Sequence, residues 1–156
     1  MKIAVVGGGS TYTPELVDGL LRRQEMLGVD EIALIDPDSM RLTIIGPLAQ
    51  RMTARRALTT RITWTDDLAD GVSGATYVVS QIRVGGMAAR HRDELLGREF
   101  GLIGQETVGV GGFANALRTI PVARRIADVI EREAPGATLL NFTNPAGLLT
   151  EALCRH

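Results

Sequence analysis

Residues 3–11 read Ile-Ala-Val-Val-Gly-Gly-Gly-Ser-Thr, so a short apolar run leads directly into three consecutive glycines. An amphipathic helix is predicted to begin at Pro14, because proline suits the first helical position. A buried strand, a glycine turn and a helix N-terminus in this order let backbone N–H groups and the positive end of a helix dipole approach a pyrophosphate. The opening of the chain therefore predicts a nucleotide clamp.

The match to the dinucleotide fingerprint Gly-x-Gly-x-x-Gly is incomplete, because Tyr12 stands at the third position after Gly7 and Gly9. A plain βα turn, in which the glycines only permit positive φ, is the alternative. Asp36 ends a second apolar run, where the fingerprint places the group that binds the adenosine ribose. Its charge repels a 2′-phosphate, so we expect NAD rather than NADP. Alternatively, Asp36 followed by Pro37 only shapes a turn.

The composition predicts a single domain. The chain has 156 residues, is 45% hydrophobic and carries a formal charge of −1, so it can bury a core and shows no imbalance that points to nucleic acid or membrane. No apolar stretch reaches the length of a membrane span, and no signal peptide is recognised before the first strand. Cys154, the single cysteine, excludes an internal disulfide, and we expect a cytoplasmic protein.

Strand and helix patterns alternate along the chain. This order predicts an α/β protein with a Rossmann-like, doubly wound parallel sheet and helices on both faces, in one NAD-binding domain over residues 1–156. Strands are expected near residues 2–6, 31–35, 61–64, 75–80 and 137–141.

Glycine, aspartate and proline mark the expected helix boundaries. Gly28 is predicted to end the first helix, and Asp38 to cap the second. Pro47 is expected to kink or delay that second helix. A later helix is expected to be interrupted by Pro121 and to stop at Pro135.

Charged side chains follow the predicted fourth strand, at the edge of a parallel sheet where ligands bind. The guanidinium groups of Arg83 and Arg90 match phosphate geometry, so either could hold an anionic substrate. Solvation on a surface helix is the alternative for both. His91 stands alone among charged neighbours, which is more typical of a surface residue than of a base or a metal ligand.

Two further segments combine glycine or proline with polar side chains. Residues 101–112 hold five glycines together with Gln105 and Glu106, and we expect this loop to pack against other parts of the protein rather than act as a linker. After the last predicted strand, Asn144 is predicted to cap the helix that follows it. Asn141, at the end of the strand, is the stronger candidate for a functional role.

Five motifs occur in order from one end of the chain to the other: Gly7-Gly8-Gly9-Ser10 with Thr13-Pro14, Arg83-Val84-Gly85-Gly86, Gly104-Gln105-Glu106-Thr107 with Gly109-Val110-Gly111-Gly112, Arg118-Thr119-Ile120-Pro121, and Asn141-Phe142-Thr143-Asn144-Pro145-Ala146-Gly147 with Thr150-Glu151. In this order they resemble glycoside hydrolase family 4, the NAD-dependent glycosidases, and most nearly its 6-phospho-β-glucosidases.

The resemblance implies an unusual glycosidase reaction that departs from the scheme of two carboxylates. NAD⁺ oxidises the sugar at C3, a base removes the C2 proton, the C1 leaving group is eliminated, water adds and the hydride returns. A divalent metal, usually Mn²⁺, stabilises the enolate, and the substrate is a phosphorylated disaccharide or aryl glucoside. The resemblance implies cofactor-binding roles for Gly7, Gly9, Ser10, Thr11, Asp36 and Arg83, and substrate-binding roles for Arg90, at the 6-phosphate, and Asn144.

In the family, the metal-binding cysteine and histidine and the tyrosine base follow the Asn-Pro-Ala-Gly segment, at positions later than any in this chain. Cys154 and His156 are poor substitutes, because side chains two apart on a helix point in different directions. We therefore expect no catalytic residue and no metal ligand here, a cofactor-binding portion of a longer and oligomeric enzyme, and no activity of this portion alone.

Two other functions remain open from the sequence. The first is the cofactor domain of a 2-hydroxy-acid dehydrogenase, which shares the glycine turn, the acidic residue and an Asn-Pro segment but not Gly104-Gln105-Glu106-Thr107. The second is a stand-alone NAD-sensing module, which would bind the cofactor tightly and expose an apolar patch for a partner.

Overall fold

The apolar run at the start of the chain forms the central strand of a five-stranded sheet. The structure, a computed structural model, describes residues 1–155. Its elements are β1 (Lys2–Val6), α1 (Thr13–Arg22), α2 (Gln24–Leu27), β2 (Glu31–Ile35), α3 (Ser39–Arg55), β3 (Arg61–Thr65), α4 (Leu68–Val72), β4 (Tyr77–Ser80), α5 (Gly86–Glu99), α6 (Gly109–Glu133), β5 (Thr138–Asn141) and α7 (Ala146–Cys154).

The sheet has the strand order β3-β2-β1-β4-β5. β1 pairs in parallel with β2 on one side and with β4 on the other, with Val5 opposite both Leu34 and Val79. β2 pairs in parallel with β3. The chain therefore changes direction across the sheet between β1 and β4, which confirms the predicted doubly wound parallel sheet and marks the switch point where ligands bind in such sheets.

The chain divides into two compact units. The first unit comprises Met1–Gln81 and Val129–Leu140, and the second comprises Ile82–Asp128 and Asn141–His156. In the first unit, side chains of β1, β2, β3 and β4 form one apolar cluster with α1 and α3. On the other face of the sheet, Gly71 of α4 lies against Ile35 and Thr65. Helices thus cover both faces, as predicted.

In the second unit, glycines permit close backbone packing. A Cβ at Gly97 would lie 3.2 Å from the Gly104 Cα atom, and one at Gly111 would overlap the backbone carbonyl oxygens of Gln105 and Asp93. The glycine-rich segment therefore packs against α5, as expected. Its last part, from Gly109 onward, is not a loop but the first turn of α6.

Both internal prolines lie inside continuous helices, so the predicted delay at Pro47 and interruption at Pro121 are wrong. In α3, the buried side chains of Leu42, Ile45 and Ala49 hold the helix against the core. Burial stabilises a large apolar side chain by about 1.5–3 kcal/mol. The burial of Leu42 and Ile45 together therefore offsets the cost of about 3 kcal/mol for one helical proline.

Two caps are confirmed, although the first predicted helix is divided. It breaks at Arg23 into α1 and α2, and Gly28 ends α2 with φ of 61°. The Asp38 side chain accepts a hydrogen bond from the Arg41 N–H at 3.2 Å and caps α3. Within residues 1–155, no helix is both long enough and apolar enough to cross a membrane.

Candidate functional site: a glycine turn and an arginine cluster

The glycine turn after β1 is fastened to the end of β2. The backbone N–H groups of Gly7 and Gly8 both donate to the Ile35 carbonyl at 2.8 Å, and Gly7 has φ of 89°. A Cβ at Gly8 would lie 2.8 Å from backbone atoms of Leu34 and Ile35. Only glycine fits this approach, so the turn is set by its contact with β2.

Gly9 and Asp36 form the centre of the turn. The Gly9 N–H donates to Asp36 Oδ2 at 3.0 Å, and the Asp38 N–H donates to Asp36 Oδ1 at 3.0 Å. Asp36 is 8% exposed. A carboxylate offers about four acceptor positions, so Asp36 both shapes the turn before Pro37 and keeps acceptor capacity for a ribose hydroxyl.

Ser10 and Thr11 offer hydrogen-bond donors that residues 1–155 leave without an acceptor. The Ser10 hydroxyl oxygen accepts from the Tyr12 N–H at 3.2 Å, which leaves its proton free to donate elsewhere. Within residues 1–155, the backbone N–H of the exposed Thr11 has no acceptor. Together with the N-terminal end of α1, these donors suit an anion.

Gln81 and Thr13 support the glycine turn through hydrogen bonds. Neither residue was predicted from the sequence to have this role. The Gln81 side-chain amide donates to Thr13 Oγ1 at 2.7 Å and to the Gly7 carbonyl at 3.1 Å. Thr13 is fully buried. The available signal was the position of Gln81, the first residue after a buried strand at the switch point.

In the second unit, Arg83 and Arg90 converge on one carboxylate. Glu106 forms ion pairs with Arg83 and with Arg90, the latter with Arg90 Nε at 3.1 Å from Glu106 Oε2. Arg90 Nε also donates to Glu94 at 2.8 Å. Two arginines and two acids therefore form an arginine cluster, consisting of Arg83, Arg90, Glu94 and Glu106, which has no formal net charge.

Arg90 uses only one of its nitrogens in this cluster. Its hydrogen bond to Glu94, and then the charge of Glu106, raise its pKa above the ordinary value. In the part of the chain that the structure describes, neither Nη atom of Arg90 has an acceptor. The Nη atoms of Arg90 are thus open to an anion. The alternative of a fully solvated side chain is wrong for Nε, which is paired with Glu94 and Glu106.

The side chains of the two asparagines after β5 are used differently from what the sequence predicts. Asn141 uses its side chain within the turn, accepting from the Thr143 N–H at 3.1 Å and contacting Thr150 at 3.3 Å. Asn144 does not cap α7, because Pro145 is the N-cap residue and no side-chain cap bond is present. Within residues 1–155, the exposed side chain of Asn144 is therefore available to a ligand. The backbone carbonyl of Asn144 accepts a hydrogen bond from the Asn115 side-chain amide at 3.3 Å.

Within residues 1–155, no group of three or more histidine, cysteine, aspartate or glutamate side chains is placed to hold a metal ion. Cys154 is exposed at the end of α7. His91 is exposed on α5, as expected of a surface residue. His156, the other residue considered as a substitute ligand, lies outside the described residues.

The family model described as family 4 glycosyl hydrolase matches residues 2–156. The chain belongs to the family 4 glycosyl hydrolases. Among its relatives, the "Probable 6-phospho-beta-glucosidase" of Bacillus subtilis (strain 168) is 47% identical and aligns with 100% of the chain and 36% of its own length. The 6-phospho-beta-glucosidase of Escherichia coli (strain K12) is 42% identical, with 100% and 35% covered. The chain thus spans about a third of the length of these relatives.

Solved structures of the family share the fold. A 6-phospho-beta glucosidase from Thermotoga maritima, solved with manganese, NAD⁺ and glucose-6-phosphate, has a TM-score of 0.88 and 42% identity, covering 94% of this chain and 35% of its own. A 6-phospho-alpha-glucosidase from gut microorganisms, solved with NAD and Mn²⁺, has a TM-score of 0.93 and 34% identity, with 99% and 35% covered.

A malate dehydrogenase from Salinibacter ruber shares the fold alone. Its TM-score is 0.65 at 14% identity, covering 98% of this chain and 41% of that one. The family match, which includes the Gly104-Gln105-Glu106-Thr107 segment, decides for the family 4 glycosyl hydrolases.

Proposed function

We propose that this chain is the NAD-binding portion of a 6-phospho-β-glucosidase that acts by C3 oxidation, elimination, water addition and re-reduction. The observation that carries the proposal is the glycine turn, in which Gly9 donates to the buried Asp36 while Ser10 and Thr11 keep open donors. The β-glucosidase relatives at 47% and 42% identity support the substrate class and the linkage.

The residues of the turn fit NAD. A Cβ at Gly9 would lie 2.9 Å from Asp36 Oδ2, so the turn leaves no room for a side chain on its inner side. The open donors of Ser10 and Thr11 suit the pyrophosphate, and the charge of Asp36 suits a ribose with free hydroxyls rather than a 2′-phosphate. NAD⁺, when bound, supplies a hydride acceptor for the C3 hydrogen. Arg83 remains a predicted cofactor ligand.

The arginine cluster fits the phosphate of the substrate. Among the described residues, the Nη atoms of Arg90 make no hydrogen bond. A guanidinium edge can bind two phosphate oxygens at once. We assign the 6-phosphate to Arg90, and we assign contact with the sugar to the exposed side chain of Asn144. Both assignments use side chains whose own bonds in the chain leave donors open.

The described residues do not fit a manganese ion, since no suitable group of three ligands lies within residues 1–155. A homo-oligomeric and cytoplasmic enzyme remains the prediction from the sequence.

The proposal is tested by substrate selectivity in a family-length protein that carries this chain. Release of 4-nitrophenol is measured from the 6-phospho-β-glucoside, the 6-phospho-α-glucoside and the unphosphorylated β-glucoside, before and after removal of NAD⁺. We expect turnover of the 6-phospho-β-glucoside, no turnover of the 6-phospho-α-glucoside and only weak turnover of the unphosphorylated β-glucoside, all dependent on NAD⁺. Equal turnover of the unphosphorylated compound, or turnover without NAD⁺, would contradict the proposal. The 156-residue chain alone, given NAD⁺ and Mn²⁺, should release no nitrophenol above background.

A further inference from the structure

A buried polar network occupies the interior of the second unit. It consists of Asp93 on α5 and of Asn115, Arg118 and Thr119 on α6, and we call it the polar hub. Asp93, Asn115 and Thr119 are 5%, 7% and 1% exposed. Buried polar groups on this scale are retained only when they are fully bonded, and among the described residues no buried side-chain polar atom lacks a partner.

The partly exposed Arg118 directs its hydrogen bonds to groups of the second unit. Its two Nη atoms donate to the two carboxylate oxygens of Asp93 at 3.1 and 2.6 Å. Its Nε donates to the Val84 carbonyl at 2.9 Å. The bond to Asp93 raises the pKa of Arg118 above its ordinary value. All three nitrogens of Arg118 thus donate hydrogen bonds within the second unit.

Asn115 connects α6 to the segments that contain Glu106 and Asn144. Its side-chain amide donates to the Glu106 carbonyl at 3.4 Å and to the Asn144 carbonyl at 3.3 Å. Its Oδ1 atom accepts from the Thr119 hydroxyl at 2.9 Å and from Arg118 at 3.4 Å. The orientation of this one amide is therefore fixed from both of its ends.

The contacts of the polar hub coincide with the segments of the proposed substrate site. Val84 follows Arg83 directly, and Asp93 lies one helical turn after Arg90 on α5. Glu106 and Asn144 are held through their own backbone carbonyls. Each of the four segments that carry Arg83, Arg90, Glu106 and Asn144 is thus bonded to the same buried network.

We infer that Arg118 and Asn115 are positioning residues for the phosphate-binding side chains of the second unit. They touch no substrate but set the relative placement of Arg90, Glu106 and Asn144. This inference rests on the proposed function, because it takes Arg90 as the group that meets the 6-phosphate. Displacement of a binding group by about 1 Å costs up to about a hundredfold in rate, so a network remote from the ligand can control selectivity.

The test uses two variants with different chemistry and one matched control in the family-length protein. Arg118→Lys keeps a positive charge near Asp93 but cannot bond Asp93 and Val84 with a planar fork. Asn115→Asp keeps an acceptor for Thr119 but removes the donors to Glu106 and Asn144. Arg125→Lys changes an exposed arginine of the same helix that is outside the polar hub.

For each variant, KM and kcat are measured with the 6-phospho-β-glucoside and with the unphosphorylated β-glucoside, together with the NAD⁺ dissociation constant and the melting temperature. We expect Arg118→Lys and Asn115→Asp to raise KM for the phosphorylated substrate by about ten- to a hundredfold. The NAD⁺ dissociation constant should stay within about twofold of the unmutated protein in both variants, and so should the weak activity of Arg118→Lys on the unphosphorylated compound. Asn115→Asp should also lower activity on the unphosphorylated compound, by less than on the phosphorylated one, because Asn144 contacts the sugar that both substrates share. Arg125→Lys should change neither substrate.

Two results would overturn the inference. Equal losses on both substrates, accompanied by weaker NAD⁺ binding and a lower melting temperature, would show that the polar hub only holds the fold together. Unchanged KM in both variants would show that the segments keep their places without it. If the unmutated protein does not distinguish the two substrates, the proposed function fails first and the inference fails with it.

Discussion

The glycine turn of the first unit and the arginine cluster of the second unit prepare their binding groups differently. At the turn, glycines bring the backbone against β2, and the open donors are a backbone N–H and a small hydroxyl. In the cluster, the donors belong to long charged side chains that are already paired with Glu94 and Glu106. The turn depends on space, whereas the cluster depends on competition between charges.

The interior of the first unit is apolar, whereas that of the second unit contains a polar network. Apolar side chains of four strands and two helices fill the core of the first unit. The second unit is organised around the polar hub, in which Asp93 and Arg118 form an ion pair. An apolar core tolerates conservative exchange, but a polar network fails as soon as one partner is lost. Substitutions should therefore act by volume in the first unit and by hydrogen bonding in the second.

The largest effect is expected from Gly9→Ala. The new Cβ would lie 2.7 Å from the Arg41 Cβ atom and 2.9 Å from Asp36 Oδ2, so the turn must move. Overpacking of this kind costs about 1–3 kcal/mol, and NAD⁺ affinity should fall by about a hundredfold in calorimetry. Gly19→Ala on α1 is the control, because a Cβ there meets only the Arg23 Nη1 atom at 3.9 Å. Equal NAD⁺ affinity of the two variants would show that steric restriction at Gly9 does not control NAD⁺ binding.

The next effect is expected from Arg90→Gln in the family-length protein. Loss of a charge-assisted bond to phosphate costs about 1.5–3 kcal/mol, which corresponds to about ten- to a hundredfold in KM for the phosphorylated substrate. The unphosphorylated glucoside should be unaffected. Arg92→Gln, an exposed neighbour on α5, serves as the control. Equal losses on both substrates would show that Arg90 supports the fold through Glu94 and Glu106 instead.

A smaller effect of opposite sign is expected from Glu94→Gln. This exchange removes a negative charge that holds Arg90 Nε at 2.8 Å and repels an incoming phosphate. Since an exposed ion pair is worth about 0.2–1 kcal/mol, glucose 6-phosphate should bind about two- to fivefold more tightly, as measured by inhibition of turnover. Glu99→Gln on the same helix is the matched control. Weaker binding would mean that Glu94 orients Arg90 rather than competes for it.

The smallest effect is expected at Asp18, away from both binding regions. Hydrogen bonds from Arg56 and then Arg22 lower its pKa from the ordinary value of 3.8. A lowered pKa stabilises the fold above the unfolded value, and this contribution is lost as the pH falls through the folded pKa. Asp18→Asn should therefore melt at a slightly lower temperature at pH 7, and the gap should close below pH 3.8. A gap that persists in acid would contradict this assignment.

Local sequence patterns were sufficient to predict most of the fold. The apolar runs ending at Val6 and Ile35 form paired strands, and Asp38 caps its helix, because each feature depends on neighbours in the chain. The predicted delay at Pro47 is wrong, since the local cost of proline is outweighed by core contacts that Leu42 and Ile45 make with distant residues. Tertiary packing therefore decided where local preference and burial disagreed.

The candidate site was predictable only in part. Gly9, Asp36 and Arg90 stand in recognisable positions beyond strands, and in the structure the Gly9 N–H donates to Asp36. Asn115 and Gln81 were missed as supporting residues, because their bonds join segments 29 and 74 residues apart. Side-chain networks across such separations leave no periodic trace in one sequence.

The central claim is that the glycine turn with Asp36 recognises NAD. The most direct test is calorimetric titration of the 156-residue chain with NAD⁺ and with NADP⁺, alongside Asp36→Asn, which keeps one acceptor oxygen but loses the charge. We predict that the unmutated chain binds NAD⁺ more tightly than NADP⁺, and that Asp36→Asn weakens NAD⁺ and narrows the preference. Equal affinity of the unmutated chain for both cofactors, or a preference unchanged in Asp36→Asn, would contradict the account.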